Sequence, residues 1–218
     1  RDRMSVCEVR ISELDSPDEK VQEIVQDMGH THILLRGTPE RAKLGVERGF
    51  FEPAFYGNTP DTMRFFVNRS HKRNIGVMLE ISPEYLTRAV HLFEKKHPQA
   101  VNYLLANILF WIKEYHIDGF VFRGLSENSS DFLEKAKEVI KKEDNSVLFI
   151  GEEIKGKQTR DFFDFEWNME LKAGVEEYLG TDFEKRQGKY FRILSAAAAY
   201  SARVYLRFIA LSLSLIHI

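Results

Sequence analysis

Four short apolar runs, each followed by a segment of helical period, constrain this chain more than any other feature. They are Thr31-His32-Ile33-Leu34-Leu35, Gly76-Val77-Met78-Leu79-Glu80-Ile81, Gly119-Phe120-Val121-Phe122 and Val147-Leu148-Phe149-Ile150. None alternates cleanly with polar residues, which is the pattern of strands buried on both faces of a parallel sheet. The segments between them open with helix starts. Ser16-Pro17-Asp18-Glu19 reads as a capping box ahead of Val21, Ile24, Val25 and Met28 on one face. Thr59-Pro60-Asp61 opens a second helix with Met63, Phe66 and Val67 inward. The longest helix is expected from about Gln99 to Tyr115, with Val101, Leu104, Leu105, Ile108, Trp111, Ile112 and Tyr115 at i, i+3, i+4 spacing. A fourth, from about Asp131 to Lys142, uses Phe132, Ala136, Val139 and Ile140; a fifth near 169–179 groups Leu171, Val175 and Tyr178. The alternation predicts an α/β fold of repeated βα units. A doubly wound sheet and a barrel both satisfy it. No glycine-rich phosphate loop follows any run, which weighs against a nucleotide-binding sheet.

Composition narrows the function classes. A net charge of −2 over 218 residues gives no electrostatic footing for nucleic acid or an anionic membrane. The single Cys7 excludes an internal disulfide framework and favours a reducing compartment, here expected to be the cytoplasm. Arg1-Asp2-Arg3 opens the chain without an apolar signal segment, so the first residue is not expected to be the gene's first codon. From Ser195 the character changes to Ala196-Ala197-Ala198-Ala199 and then to an apolar stretch, Arg203 to Ile218, too short for a comfortable membrane span. It reads either as a foreign tail or as a buried terminal helix. The expected division is a domain of repeated βα units over 1–194 and an atypical apolar tail over 195–218.

Several blocks resemble one family in collinear order. Trp111-Ile112-Lys113-Glu114-Tyr115-His116-Ile117-Asp118-Gly119-Phe120 looks like the approach to the fourth barrel strand of bacterial-type glycogen branching enzymes, of glycoside hydrolase family thirteen. Met28 to Leu35 is similar to the second-strand region, and Gly49 to Pro60, with Phe50-Phe51 and Phe55-Tyr56-Gly57, to the loop after it. Ile75 to Leu79 resembles the third strand, and Phe163 to Met169 the stretch after the fifth. The resemblance covers roughly residues 10 to 194. It implies a partial (β/α)₈ TIM barrel, about strands 2 to 5, with its site at the C-terminal ends of the strands. The implied partner is an α-glucan, glycogen or a maltooligosaccharide, and no cofactor or metal is implied.

Retaining glycosyl transfer needs two carboxyl groups, one attacking the anomeric carbon and one serving as acid and then base. The family's fourth strand ends in arginine, one residue, then the aspartate nucleophile; here those positions read Val121, Phe122 and Arg123. An arginine cannot form a glycosyl ester. Glu152, in Phe149-Ile150-Gly151-Glu152-Glu153, stands where the family has its acid/base. In Glu80-Ile81-Ser82-Pro83-Glu84-Tyr85 the substrate-binding positions are Glu80, in place of aspartate, and Tyr85, in place of a sugar-contacting histidine. The loop beyond Tyr85 is short. His30 and His32 straddle one residue but read as satisfied core histidines, not metal ligands. Lys72-Arg73, Lys95-Lys96 and Lys141-Lys142 read as solvated helix faces and turns, and most of the seventeen phenylalanines as core. The expectation is a branching-enzyme relative impaired at Arg123. The alternatives are a non-catalytic glucan-binding or regulatory module, with Trp167 and the aromatic loop beside Glu152, and an active enzyme whose remaining strands lie outside this sequence. A partial barrel also predicts self-association through its open edges.

Overall fold

The computed structural model describes residues 4–10, 20–36, 59–81, 98–125, 130–153 and 162–167, with 173, 174, 177, 204 and 205. Among the described residues seven strands form one parallel sheet: β1 (Val6–Arg10), β2 (His32–Arg36), β3 (Gly76–Ile81), β4 (Gly119–Arg123), β5 (Leu148–Glu152), β6 (Phe165–Trp167) and β7 (Val204–Tyr205). Four described helices connect them: α1 (Lys20–Asp27), α2 (Pro60–Lys72), α3 (Pro98–Tyr115) and α4 (Ser130–Glu143).

The strands lie side by side in chain order, every pair parallel. A doubly wound sheet reverses its order at a switch point and carries helices on both faces. Here the order never reverses, and all four helices bury their apolar stripes in one cluster with Ile33, Leu35, Val77, Leu79, Phe120, Phe122 and Phe149. The other face holds a second, smaller cluster of Leu34, Met78, Val121, Ile150 and Trp167. Helices on one face and a separate inner layer on the other are the anatomy of a barrel wall. The fold is a partial (β/α)₈ barrel, and its sheet is wider than the four strands legible in sequence.

Local chemistry sets the helix bounds. Thr59 caps α2, its hydroxyl accepting from Thr62 N–H at 3.3 Å while the Thr62 hydroxyl accepts from Thr59 N–H at 2.7 Å. Pro60 occupies the first turn, where its missing N–H costs no hydrogen bond. Met63, Phe66 and Val67 are buried as expected. On α1 the expected face is rotated: Val25 is buried beside Gln22, while Ile24 is 55% and Met28 43% exposed. The capping box at Ser16 and most of the helix expected near 169–179 lie outside the described residues, although 173, 174 and 177 are helical. Val204 and Tyr205 are extended and pair with β6, not helical. Among the described residues no helix is long and apolar enough to cross a membrane.

The helix-side core is built on phenylalanine. Phe122 and Phe149 have ring centroids 4.4 Å apart, and Phe163 stacks on Phe149 at 5.1 Å. Phe65 departs from the expected core role at 53% exposure.

Candidate active site

Side chains alternate along a strand, so the residue two beyond each inner-layer position faces the same way, one layer nearer the C-terminal end. Beyond Leu34 comes Arg36; beyond Met78, Glu80; beyond Val121, Arg123; beyond Ile150, Glu152. Beyond Val6, packed against the same inner layer, comes Glu8. The inner face thus passes from an apolar layer to a charged one where such barrels place their chemistry.

Arg36 is the hub of that layer. Its Nη1 donates to Glu80 Oε1 and its Nη2 to Glu152 Oε2, each at 2.7 Å. Its Nε lies 2.7 Å from Glu8 Oε1 but off the N–H axis, an ion pair rather than an aligned hydrogen bond. The Trp167 ring lies beside it, 5.8 Å from the guanidinium carbon, within cation–π range. The Arg36, Glu80 and Glu152 side chains are only 11%, 0% and 3% exposed, so this is a buried charge network and not a surface one. Burial works against the guanidinium's charge, yet Glu152 and Glu80 hold its pKa above the ordinary value. Glu80 is pushed upward by burial above all, against the pull of Arg36 and with repulsion from Glu152 added.

Arg123 is the more exposed of the two guanidinium groups. Its Nε donates to Glu153 at 3.1 Å and its Nη1 lies 3.8 Å from Glu80, with the side chain 31% exposed. Burial again opposes the charge, but Glu153, Glu152 and Glu80 raise the pKa of Arg123. Glu153 adopts a left-handed φ of 53°, uncommon outside glycine, as the strand end turns. Gly124 (φ 68°) makes the matching turn after β4 and donates its N–H to the Glu152 carbonyl at 2.9 Å.

Glu152, Glu80 and Arg123, three of the four site positions expected from sequence, therefore meet in one layer. Tyr85 and the aromatic loop at 50–56 lie outside the described residues. Trp167 is the register partner of Glu152, but at 3% exposure it is a buried wall and not an open stacking platform. Arg36 and Glu8 escaped the sequence reading. A lone charge at a strand end resembles a solvated residue, and the signal that marks these two is the count of two from a buried inner position.

His30 and His32 serve locally: His30 Nδ1 lies 2.7 Å from the Ser5 hydroxyl, and His32 Nδ1 lies 2.8 Å from the Thr31 hydroxyl. Burial lowers the pKa of His30. Two basic residues expected to be solvated are instead engaged. Lys141 donates to Asp164 at 2.6 Å and to the Val147 carbonyl at 2.8 Å, and Arg73 donates to Glu23 at 2.8 Å.

No protein-family model matches the chain. In sequence it is similar to the 1,4-alpha-glucan branching enzyme GlgB of Fusobacterium nucleatum subsp. nucleatum, 28% identical over 214 residues, covering 75% of this chain and 35% of the relative. It is also similar to the GlgB of Butyrivibrio fibrisolvens, 24% identical over 252 residues, covering 86% of this chain and 39% of the relative. That second alignment is longer than the 218 residues present, so the relative carries segments without a counterpart here. The chain spans little more than a third of the length of these two relatives. In fold it resembles a maltogenic alpha-amylase, AmyB, from Thermotoga neapolitana, with a TM-score of 0.69 at 14% identity, covering 93% of this chain and 57% of that one. By sequence, then, this chain is branching-enzyme-like, and by fold it is a partial barrel of the alpha-amylase kind.

Proposed function

We propose that this chain is an α-glucan-directed barrel of the branching-enzyme kind in which glucan transfer has been lost. The observation that supports the reading most is Arg123, at the C-terminal end of β4, where the resemblance expects a nucleophilic aspartate. Retaining transfer requires one carboxylate to attack and a second carboxyl to protonate the leaving oxygen. A guanidinium can do neither, and Arg123 is committed to Glu153 and Glu80. Glu152, the position of the acid/base, spends Oε2 as an acceptor for Arg36, whereas a leaving-group acid must donate. The substrate class carried over from the relatives is a 1,4-α-glucan; glycogen or a maltooligosaccharide as its form, and the cytoplasm as its compartment, are part of the proposal. In this reading Glu80 is part of the charge network, and Tyr85 is the remaining candidate for sugar contact.

Incubation of the isolated chain with end-labelled maltooligosaccharide and analysis for new branch linkages tests the proposal. No branched product is expected, and branch formation above a protein-free control would refute it. Maltoheptaose that raises the thermal midpoint without any transfer would identify the non-catalytic glucan-binding module instead, since a ligand stabilises only the state it binds.

A further inference from the structure

We propose that Arg36 is a built-in ligand: its guanidinium fills an acidic cup formed by Glu8, Glu80 and Glu152 and occupies the position a sugar would need to reach Glu152. The inference deepens the functional reading above and rests on it for the sugar; the cup itself stands on geometry alone. Three carboxylates from three strands converge on the nitrogens of one planar cation at 2.7 Å each, and Trp167 closes the side. Arginine suits this place because its fixed fork serves two carboxylates at once, which a point-charge ammonium does less well.

The network is also asymmetric in a telling way. Arg36 is nine-tenths buried and holds the carboxylates that the resemblance assigns to substrate and acid/base positions. The sequence-level lesion at Arg123 is therefore not the sole obstacle to transfer. Arg36 is a positioning residue that acts through Glu152 and Glu80, and it is the more deeply buried of the two arginines.

Removing the side chain should leave a cup shaped for a free guanidinium. The full chain carrying Arg36→Ala is expected to melt several degrees below the parent and to recover most of that loss in millimolar methylguanidinium. Equal concentrations of methylammonium or sodium chloride should do markedly less. Arg36→Lys, which keeps the charge without the fork, should fall between parent and Arg36→Ala. An Arg36→Ala chain that melts like the parent, or one whose loss methylguanidinium does not reverse beyond the salt control, would overturn the proposal. Should Arg36→Ala not fold unaided, recovery of a cooperative melt on refolding with methylguanidinium supports the cup, and no recovery overturns it. In a second arm, maltoheptaose should raise the midpoint of Arg36→Ala, and methylguanidinium should suppress that rise by competition. Guanidinium rescue without any maltoheptaose effect leaves the self-filled cup standing and fails the glucan reading.

Discussion

A buried guanidinium must find compensating charge, and Arg36 finds carboxylates on three different strands. Breaking one partner of such a network strands the remaining charge, a loss of about 3–5 kcal/mol in well-buried cases. Glu152→Gln keeps the shape and one acceptor oxygen but removes a charge. It should lower the thermal midpoint measurably, and an unchanged melt would mean that the ion pair contributes nothing to stability. Arg123→Asp places a carboxylate at the end of β4, where the proposed function expects the nucleophile. By itself it is expected to yield no glucan transfer, because Glu152 remains held by Arg36; branched product from this single variant would contradict that assignment. In the helix-side core, Phe149→Ala removes a ring that touches both Phe122 and Phe163. About 3–5 kcal/mol of stability should be lost in a denaturant titration. At this scale the sequence was partly legible. Glu80, Arg123 and Glu152 could be aligned by resemblance, while Arg36 and Glu8 could not, because neither sits in a block that carries the likeness.

Between elements, one clasp occurs twice. Asp118, just before β4, accepts from Val77 N–H at 2.7 Å and returns its own N–H to the Val77 carbonyl at 2.8 Å. His71, in the last turn of α2, binds the same carboxylate at 2.7 Å. Asp164, just before β6, repeats the arrangement with Phe149 N–H at 2.9 Å, the Phe149 carbonyl at 2.7 Å and Lys141 from the last turn of α4. Both clasps lie at the N-terminal ends of the strands, the end associated with stability rather than chemistry. The hydrogen bond to Asp118, opposed by partial burial, raises the His71 pKa. A folded pKa above the unfolded one gives a stabilisation fully present below the unfolded value of about 6.5 and lost as pH rises through the folded value. The midpoint difference between the parent and His71→Gln should therefore be larger near pH 6 than near pH 9. An equal difference at both would remove the charged pair from the account. With both side chains about a third exposed, the effect is damped by solvent. The helices themselves were legible because long stripes such as Leu104, Ile108, Trp111 and Tyr115 repeat over several turns. The short strands were less so: β1 mixes Glu8 and Arg10 with apolar residues, and β6 is three residues around Glu166.

As a whole, the molecule is a parallel wall whose terminal strands, β1 and β7, each pair on one side among the described residues. Unpaired edges invite further pairing. Sedimentation across a rising concentration series is expected to show self-association, and a single monomeric species throughout would show that the edges are covered. The order of that wall also has a consequence for assembly. Read around the inner face, the charged layer runs Glu8, Arg36, Glu80, Arg123, Glu152: negative, positive, negative, positive, negative, one on each of β1 to β5. Each of these five strands thus carries a tooth that meshes only with neighbours of opposite sign. A strand inserted out of turn would set like against like, and one slipped by a single residue would drive its charge into the phenylalanine layer. Whatever chemistry it supports, such a layer also serves as a key, admitting one order and one register of strands.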